Sequence, residues 1–539
     1  MKIPLERRAF LKLLAATPLL GSAACSTFGP RAAGAAPNGP FLPTRESLNT
    51  YQVPDWFRDA KFGIWNHWGP QSAAEYGDWY ARRMYVESEP QYKYHVQKYG
   101  HPSKFGFKDV IASWKADQFD PDHLMGLYKK AGAKYYVSMG VHHDGFDLWN
   151  SKYQPRWNSV ASGPKKDVVG LFQKAANQHG LRFGVSEHLS NSYTWFGTSH
   201  LADKAGPLAG VPYDGANPQW SDLYHDYSDQ PADFAQKAAT AQMAMSRGGP
   251  DAWRKNYFDR ITELVTNYEP DLLYTDGGIP FGDEGLALVA LHYNTNARKH
   301  GGKVEAIYNS KSRPDSAAGL CVLDMERGVI EGIWPRPWQT DTCIGNWHYD
   351  TRAKYKTPKR VIDLLVDIVS RNGNLLLNFP LPNSGAPDAE ELKILEAITA
   401  WMAVNSEAIY ATRPWKIFGD GPGSHIPPPA PGVRFNENSR KDFTAEEVRF
   451  TTKGSTLYAF VMGWPAQDSS NGPQKEFVVA PLATTNANVV GKIENVSLLG
   501  YGGKLTWKHD ERGLVVQLPP APPCDHAFTL KIAGLATVG

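Results

Sequence analysis

The sequence predicts an α/β protein: a (β/α)8 TIM-like barrel followed by a C-terminal antiparallel β-sandwich. Three observations predict this architecture. From about residue 56 to 415, short β-like runs alternate with helical patterns, which is typical of βα units and a parallel sheet. Beyond residue 415, Pro/Gly-rich loops separate short β-branched runs. The chain of 539 residues is also too long for one ordinary domain. We predict the barrel over 45–415 and the sandwich over 416–539.

One βα unit illustrates the pattern. Asp120 can cap a helix, and Pro121 suits its first position. Gly132 then ends the helix before a strand over 134–139. The apolar residues recur at positions i, i+3, i+4 and i+7, namely Leu124, Leu127, Tyr128 and Ala131.

The other predicted elements follow the same logic. A second helix covers 167–179, and 197–250 fits neither pattern, so we expect it to be a long loop over the barrel mouth. The further barrel strands are predicted at 62–67, 181–186, 272–275, 304–308, 321–323 and 374–379. Strands of the sandwich are predicted at 447–452, 456–462 and 476–480.

Residues 1–35 predict an export signal and linker. Arg7 and Arg8 precede an apolar run over 13–24, and their context resembles the twin-arginine motif, although Glu6 stands where Ser or Thr is usual. Cys25 is a candidate lipid-anchor site, but Ser22 stands where leucine is expected. The predicted destination is periplasmic or exported, with lipid anchoring left open.

Composition narrows the function classes. The net charge of +2, without long runs of one sign, disfavours nucleic acid or an anionic membrane as the main partner. No stretch after the N-terminus approaches the roughly 20 apolar residues of a membrane helix. The 17 Trp and 25 Tyr suit either sugar binding or a large aromatic core. Cys321 and Cys343 can form a disulfide or remain two unpaired core cysteines.

Candidate functional residues stand where predicted barrel strands end, which is where such barrels carry their active sites. The residues at these ends are histidines and acids: His67, His142, His143, His188, Asp276, Asp324 and Glu326. Two carboxylates at one rim can cleave a glycosidic bond. A zinc site is the other chemistry, but His142 and His143 are adjacent and point to opposite sides of an extended chain, so we predict no metal and no other cofactor.

Specific motifs then make the chain similar to family 29 of the glycoside hydrolases, the α-L-fucosidases. The resemblance covers about residues 50–415. It is carried by residues 60–69 (AKFGIWNHWG), 142–146 (HHDGF) with Trp149, 157–160 (WNSV), 370–378 (SRNGNLLLN) and 408–415 (AIYATRPW).

The resemblance implies a retaining two-step hydrolysis of α-linked L-fucose. It places the nucleophile at Asp276, with Tyr274 where Trp is common, and sugar-binding side chains at His67, His142 and His143. The family's Glu-Trp sugar-binding pair appears here as Asp78-Trp79, a shorter carboxylate. Weaker sugar-contact candidates, for which packing at the rim is an equal alternative, are His188, Trp338 and Trp347.

The acid/base residue is less sharply defined by the resemblance. Glu326 best matches the usual position and directly follows a β-like run, whereas its rival Glu331 lies further into a loop. The expected partner is a fucosylated oligosaccharide or polysaccharide. Two alternatives stay open: a related retaining exo-glycosidase such as an α-L-galactosidase, because of Asp78, or a catalytically inactive carbohydrate-binding barrel.

Overall fold

The computed structural model describes residues 39–240, 249–426, 435–465 and 475–536. The predicted export segment and Cys25 lie outside the described residues. Within the described ranges, no helix combines the length and the apolar character needed to cross a membrane.

Eight parallel strands form a nearly closed barrel, which confirms the predicted fold class. Their order around the sheet is β6-β5-β4-β3-β2-β1-β8-β7, and a parallel bridge from Asp324 to Gln339 links the two ends. The strands are β1 Phe62–Asn66, β2 Tyr135–Val141, β3 Arg182–Glu187, β4 Leu272–Thr275, β5 Ile307–Ser310, β6 Val322–Leu323, β7 Trp338–Cys343 and β8 Gly373–Asn378.

Helices cover the outside of the barrel. Asp120 caps α6 by accepting a hydrogen bond from the His123 amide, as predicted, and Asp167 caps α7 by accepting one from the Gly170 amide. The helices are α1 Arg45–Leu48, α2 Asp55–Ala60, α3 Tyr80–Arg83, α4 Pro90–Tyr99, α5 Phe107–Ile111, α6 Pro121–Lys130, α7 Val168–Gln178, α8 Ser192–Trp195, α9 Ser221–Tyr224, α10 Phe234–Thr240, α11 Asp251–Tyr268, α12 Asp283–Lys299, α13 Arg313–Ala317, α14 Pro358–Ser370 and α15 Ala389–Asn405.

Three sequence expectations need correction. β5 begins at Ile307 rather than 304, because residues 303–306, after the turn at 301–302, do not pair as a strand. β7 was absent from the predicted strands, because its central residues are polar although all six are buried. The described part of 197–250 is not one long loop, since it contains α9, α10 and several 3-10 turns.

The barrel interior is filled by side chains from alternating strand positions. Trp65, Tyr135, Tyr274 and Leu376 belong to one buried apolar cluster inside the barrel. The Tyr135 hydroxyl donates to Gln339 Oε1 at 2.9 Å, so the polar β7 is held within this interior. The barrel floor is therefore packed, and the open space lies above it at the carboxyl ends of the strands.

The C-terminal region consists of two antiparallel sheets, as predicted. A five-stranded sheet has the order β13-β16-β11-β10-β9, and a three-stranded sheet the order β12-β15-β14. The strands are β9 Arg413–Asp420, β10 Val448–Lys453, β11 Thr456–Val461, β12 Lys475–Val479, β13 Gly491–Leu498, β14 Thr506–Asp510, β15 Gly513–Leu518 and β16 Phe528–Leu535. β9 runs across residue 415, where the sequence places the domain boundary, and pairs with β10. Cys321, Cys343 and Cys524 are free thiols.

Candidate active site

A cavity of about 270 Å³ opens at the carboxyl ends of the barrel strands. It combines histidines, acids, cations and aromatic rings, so the strand-end residues do meet at one rim. The lining residues are Trp65, His67, Asp78, Trp79, Arg83, His142, His143, His188, Asp276, Lys311, Glu326, Arg327, Asp341, Trp347 and Phe435.

Asp276 directly follows β4, and its backbone amide donates to the Glu187 carbonyl at the end of β3. Its side chain is buried, with Oδ2 3.3 Å from His143 Nε2 and 3.4 Å from His188 Nδ1. Burial alone would raise the pKa of Asp276, but the Lys311 ammonium, and then His188 and His143, hold it well below its usual range. Asp276 is therefore an ionised carboxylate that faces the cavity.

Lys311 joins this carboxylate to a second one. Its Nζ donates to Asp276 Oδ1 at 2.6 Å and to Glu326 Oε2 at 2.8 Å. The two oxygens can therefore be no further apart than the sum of these distances, 5.4 Å. Burial disfavours the charged ammonium, but Asp276 and then Glu326 raise the pKa of Lys311 well above its usual value. The two carboxylates are thus held as a close pair by one cation.

Four histidines, His67, His142, His143 and His188, line the cavity, and His143 and His188 contact Asp276 directly. Gln71 Nε2 lies 2.8 Å from His142 Nδ1, and the His188 carbonyl accepts a hydrogen bond from His143 Nδ1 at 2.7 Å. Burial lowers the pKa of His67 and of His142 well below the usual value, and that of His188 to about 4. At neutral pH these three rings are neutral, so each offers one donor and one acceptor nitrogen.

The same histidines have a geometry that a metal ion could use. The ligand nitrogens of His67, His142 and His188 lie within 4.8 Å of one another, as do the ligand atoms of His143, His188 and Asp276. In the second group, the Asp276 carboxylate already forms an ion pair with the Lys311 ammonium. The sequence expectation that the enzyme needs no metal stays a prediction.

Comparison with known proteins identifies the family. The family model described as alpha-L-fucosidase matches residues 31–407, and that of the alpha-L-fucosidase C-terminal domain matches residues 440–533. The chain belongs to the α-L-fucosidase family.

Individual relatives agree with this assignment. The tissue alpha-L-fucosidase of Homo sapiens is 25% identical over 517 residues, covering 93% of both chains. The human plasma alpha-L-fucosidase is 28% identical over 528 residues, covering 92% of this chain and 93% of the relative. The crystal structure of the Thermotoga maritima alpha-fucosidase in complex with fucose is 25% identical, with a TM-score of 0.67, covering 92% of this chain and all of that one. The resemblance inferred from the motifs is confirmed.

Most residues that the resemblance implicates in this α-L-fucosidase line the cavity. They include the Asp78-Trp79 pair, in which Asp78 Oδ1 accepts a hydrogen bond from the His348 amide at 2.7 Å. The ring of Trp347 lies 4.9 Å from that of His67. Asp78 therefore has a structural partner in the loop after β7 as well as a face on the cavity.

Four of the sequence candidates lie outside the cavity lining, namely Asp324, Tyr274, Trp338 and Glu331, and Asp324 is buried. Tyr274 is buried inside the barrel, edge-on to Trp65, and its hydroxyl donates to Asp341 Oδ2 at 3.1 Å. Trp338 is also fully buried, and its Nε1 donates to the Arg371 carbonyl at 3.0 Å. Glu331 is exposed and is not part of the lining. Tyr274 thus contacts the lining residues Trp65 and Asp341 from inside the barrel, whereas Trp338 is a packing residue.

Several lining residues of this fucosidase were not predicted from the sequence. Lys311 follows β5 directly, so the strand-end rule applied there would have found it. Asp341 lies within β7, which was not recognised as a strand. Burial and then Asp341 raise the pKa of Asp324 well above the usual value. Burial also raises the pKa of Asp341, to about 6, while the Lys311 charge opposes the rise of both pKa values.

Proposed function

We propose that this α-L-fucosidase is a retaining exo-enzyme that releases terminal α-L-fucose from glycans or polysaccharides, with Asp276 as nucleophile and Glu326 as acid/base. One observation carries the proposal: a single ammonium, Lys311 Nζ, contacts both carboxylates, so their nearest oxygens are at most 5.4 Å apart. Carboxyl groups about 5 to 5.5 Å apart suit a retaining mechanism, while inverting enzymes need about 6.5 to 9.5 Å to admit a water molecule.

In the first step, a carboxylate oxygen of Asp276 attacks the anomeric carbon. The bond from that carbon to the leaving oxygen breaks, and Glu326 transfers its proton to this oxygen. In the second step, Glu326 takes a proton from water, and the water oxygen attacks the same carbon and releases Asp276. Two inversions at one carbon retain its configuration.

The four histidines of the cavity support the assignment of the fucose position. His67 Nδ1 and His188 Nε2 are buried and have no hydrogen-bond partner among the described residues. Buried polar atoms are normally paired, so a ligand that brings several hydroxyls into the cavity would satisfy them. A neutral imidazole can both donate to and accept from such hydroxyls. The fucose ring would therefore occupy the cavity that these histidines and the carboxylate pair line together.

Chemical rescue distinguishes Glu326 from Glu331. We expect Glu326→Ala to lose most activity and to regain rate on an aryl fucoside when azide is added, because azide can replace the water that needs a base. Glu331→Ala is the matched control and should keep its activity, since Glu331 is exposed and lies outside the cavity lining. Rescue of Glu331→Ala instead would move the acid/base assignment to that residue.

Sugar selectivity is the second part of the proposal. Asp78 has a shorter side chain than the glutamate that the motif comparison leads one to expect, and it lines the cavity while accepting a hydrogen bond from the His348 amide. An α-L-galactoside differs from an α-L-fucoside by one hydroxyl at C6, so the two nitrophenyl glycosides should be assayed side by side. We expect faster turnover of the fucoside, and no turnover of it would contradict the proposal. Failure to cleave either would favour a barrel that only binds carbohydrate.

We further propose that the protein is exported through a twin-arginine signal to the periplasm. The residues that support this are Arg7, Arg8 and the apolar run that follows them. Replacing both arginines with lysine should leave the protein in the cytoplasmic fraction. The mass of the mature N-terminus would show whether Cys25 is removed, retained or acylated.

A further inference from the structure

The segment at residues 435–439 contributes to the catalytic cavity although it lies far along the chain from the barrel strands. Phe435 lines the cavity, and Asn436–Ser439 form a 3-10 turn directly after it. The two family sequence models match residues 31–407 and 440–533, so this segment falls between them. Its role is therefore not covered by either matched region.

One side chain and one backbone amide of the segment are bonded to the loop that carries Glu326. Asn436 Oδ1 accepts a hydrogen bond from the Val329 amide at 3.0 Å, and its Nδ2 donates to the Val329 carbonyl at 2.9 Å. The Glu437 amide donates to the Arg327 carbonyl at 3.2 Å. Three backbone groups just after Glu326 are thus fixed by residues from outside the barrel.

Glu437 anchors the segment to the barrel in turn. Its carboxylate is buried, accepting from Thr342 Oγ1 at 2.6 Å and pairing with Lys356 Nζ at 2.7 Å. Arg360 donates to the Glu437 carbonyl at 2.9 Å. Because residues of β7 and α14 hold the 3-10 turn in place, the turn can define the position of the loop that carries Glu326.

Phe435 stands beside the residue that follows the proposed acid/base. The Arg327 guanidinium lies 5.5 Å from the centre of the Phe435 ring, a cation–π distance. Phe435 is half-buried, whereas Asp276 and the histidines are buried. The ring is therefore at the outer part of the cavity on the Glu326 side, where a group leaving from the anomeric carbon must pass.

We propose that Phe435 and Arg327 form the wall that receives the leaving group, a pyranose sugar whose C–H face packs on the ring, while Asn436 is a positioning residue for Glu326. This inference rests on the proposed function, because it uses Glu326 as the acid that meets the leaving oxygen. An aromatic ring offers a flat apolar surface to a sugar face, and the adjacent guanidinium can donate to its hydroxyls.

The test compares two substrates and one product. A fucosylated disaccharide has a sugar leaving group, whereas α-L-fucosyl fluoride has one too small to reach the wall and needs little help from an acid. Free fucose, as an inhibitor, reports on the inner part of the cavity. For Phe435→Ala we expect kcat/KM for the disaccharide to fall about tenfold, with the fluoride rate and the fucose inhibition constant within about twofold of wild type.

Asn436→Ala should likewise lower kcat for the disaccharide much more than for the fluoride, because a displaced Glu326 impairs protonation of a poor leaving group. Asn436→Asp, which keeps the acceptor for the Val329 amide, should recover part of that loss. Phe443→Leu is the control for packing damage: Phe443 is buried between Arg440 and Arg449, outside the cavity lining. It should lower the melting temperature and affect both substrates alike.

Equal losses on both substrates in Phe435→Ala, an unchanged rate on the disaccharide, or a raised fucose inhibition constant would each overturn the proposal. Wild-type protein that cleaves no α-L-fucoside at all would instead contradict the proposed function.

Discussion

Two buried aspartates show how this molecule uses the same side chain for different purposes. Asp367 on α14 accepts hydrogen bonds from Arg371, Arg440 and Arg449, which link the barrel to the C-terminal sheets. Asp276 contacts one lysine and two histidines and keeps a face on the cavity. Burial would raise both pKa values, but the surrounding cations hold both well below the usual range.

The difference lies in what remains available around each carboxylate. All the partners of Asp367 are buried protein cations, so its charge is satisfied within the fold. The contacts of Asp276 Oδ2 with the histidines are longer, at 3.3 and 3.4 Å, and the cavity borders them. A saturated carboxylate stabilises an interface, whereas an incompletely satisfied one can attack a substrate. The comparison therefore assigns a structural role to Asp367 and agrees with the nucleophilic role proposed for Asp276.

The largest expected effect is on catalysis at Asp276. Asp276→Asn removes the proposed nucleophile with little change in shape, so we expect kcat to fall on the order of 10⁴-fold or more. The melting temperature should change by no more than a few degrees, because Lys311 keeps Glu326 as its ion-pair partner when Asp276 loses its charge. A variant with near-normal kcat would show that Asp276 is not the nucleophile.

The next effect is on stability at Asp367. Asp367→Asn leaves three buried arginines without their shared anion, and breaking a buried ion pair in this way costs about 3 to 5 kcal/mol of unfolding free energy. Chemical denaturation measures this loss, and the kcat of the folded fraction should stay close to wild type. Unchanged stability would show that the arginines are adequately paired without Asp367.

The pH dependence of stability should also differ between the two regions. The pKa of His188 is lowered to about 4 in the folded protein and is about 6.5 when unfolded, so the unfolded chain binds the proton first as pH falls. Neutral His188 therefore contributes fully to the free energy of unfolding above about pH 6.5. That contribution is lost as the pH falls to about 4, a loss of up to about 3 kcal/mol. Asp367 has a depressed pKa, so its contribution is lost only below about pH 4.

His188→Phe tests this difference while keeping a ring of similar size. The variant should lose less melting temperature than wild type between pH 7 and pH 4.5, because it lacks one group that takes up a proton on unfolding. Below pH 4 the two slopes should become parallel. Identical slopes throughout would show that His188 is not kept neutral by burial.

The smallest predicted effect concerns Lys311. Lys311→Met removes the cation that contributes most to lowering the pKa of Asp276, so this pKa should rise. Since the nucleophile must be ionised, the acidic limb of the kcat/KM profile should move to higher pH, with a loss of about tenfold at the optimum. Lys311→Arg keeps the charge and should leave the limb close to its wild-type position. If Lys311→Met left the acidic limb of the profile unmoved, Lys311 would not control the ionisation of Asp276.

The residues of the catalytic cavity could be predicted from the sequence much better than the cluster around Asp367. Strand-end residues such as His67 and Asp276 were found because barrel topology brings strand ends together and the family motifs contain them. β7 was missed because Gln339, Thr340 and Asp341 are polar, and their burial depends on hydrogen bonds that no local pattern reveals. Phe435 reaches the cavity, and the arginines reach Asp367, only through contacts between regions far apart in the chain.

The central claim is that Asp276 forms a covalent bond to the sugar, and trapping that bond tests it most directly. A 2-deoxy-2-fluoro fucoside with an activated leaving group slows both steps, but the good leaving group lets the first proceed, so the intermediate accumulates. Mass spectrometry of peptides should place one fluorofucosyl group on Asp276, with none on Asp276→Asn. A label on another carboxylate, or complete turnover without any label, would contradict the account.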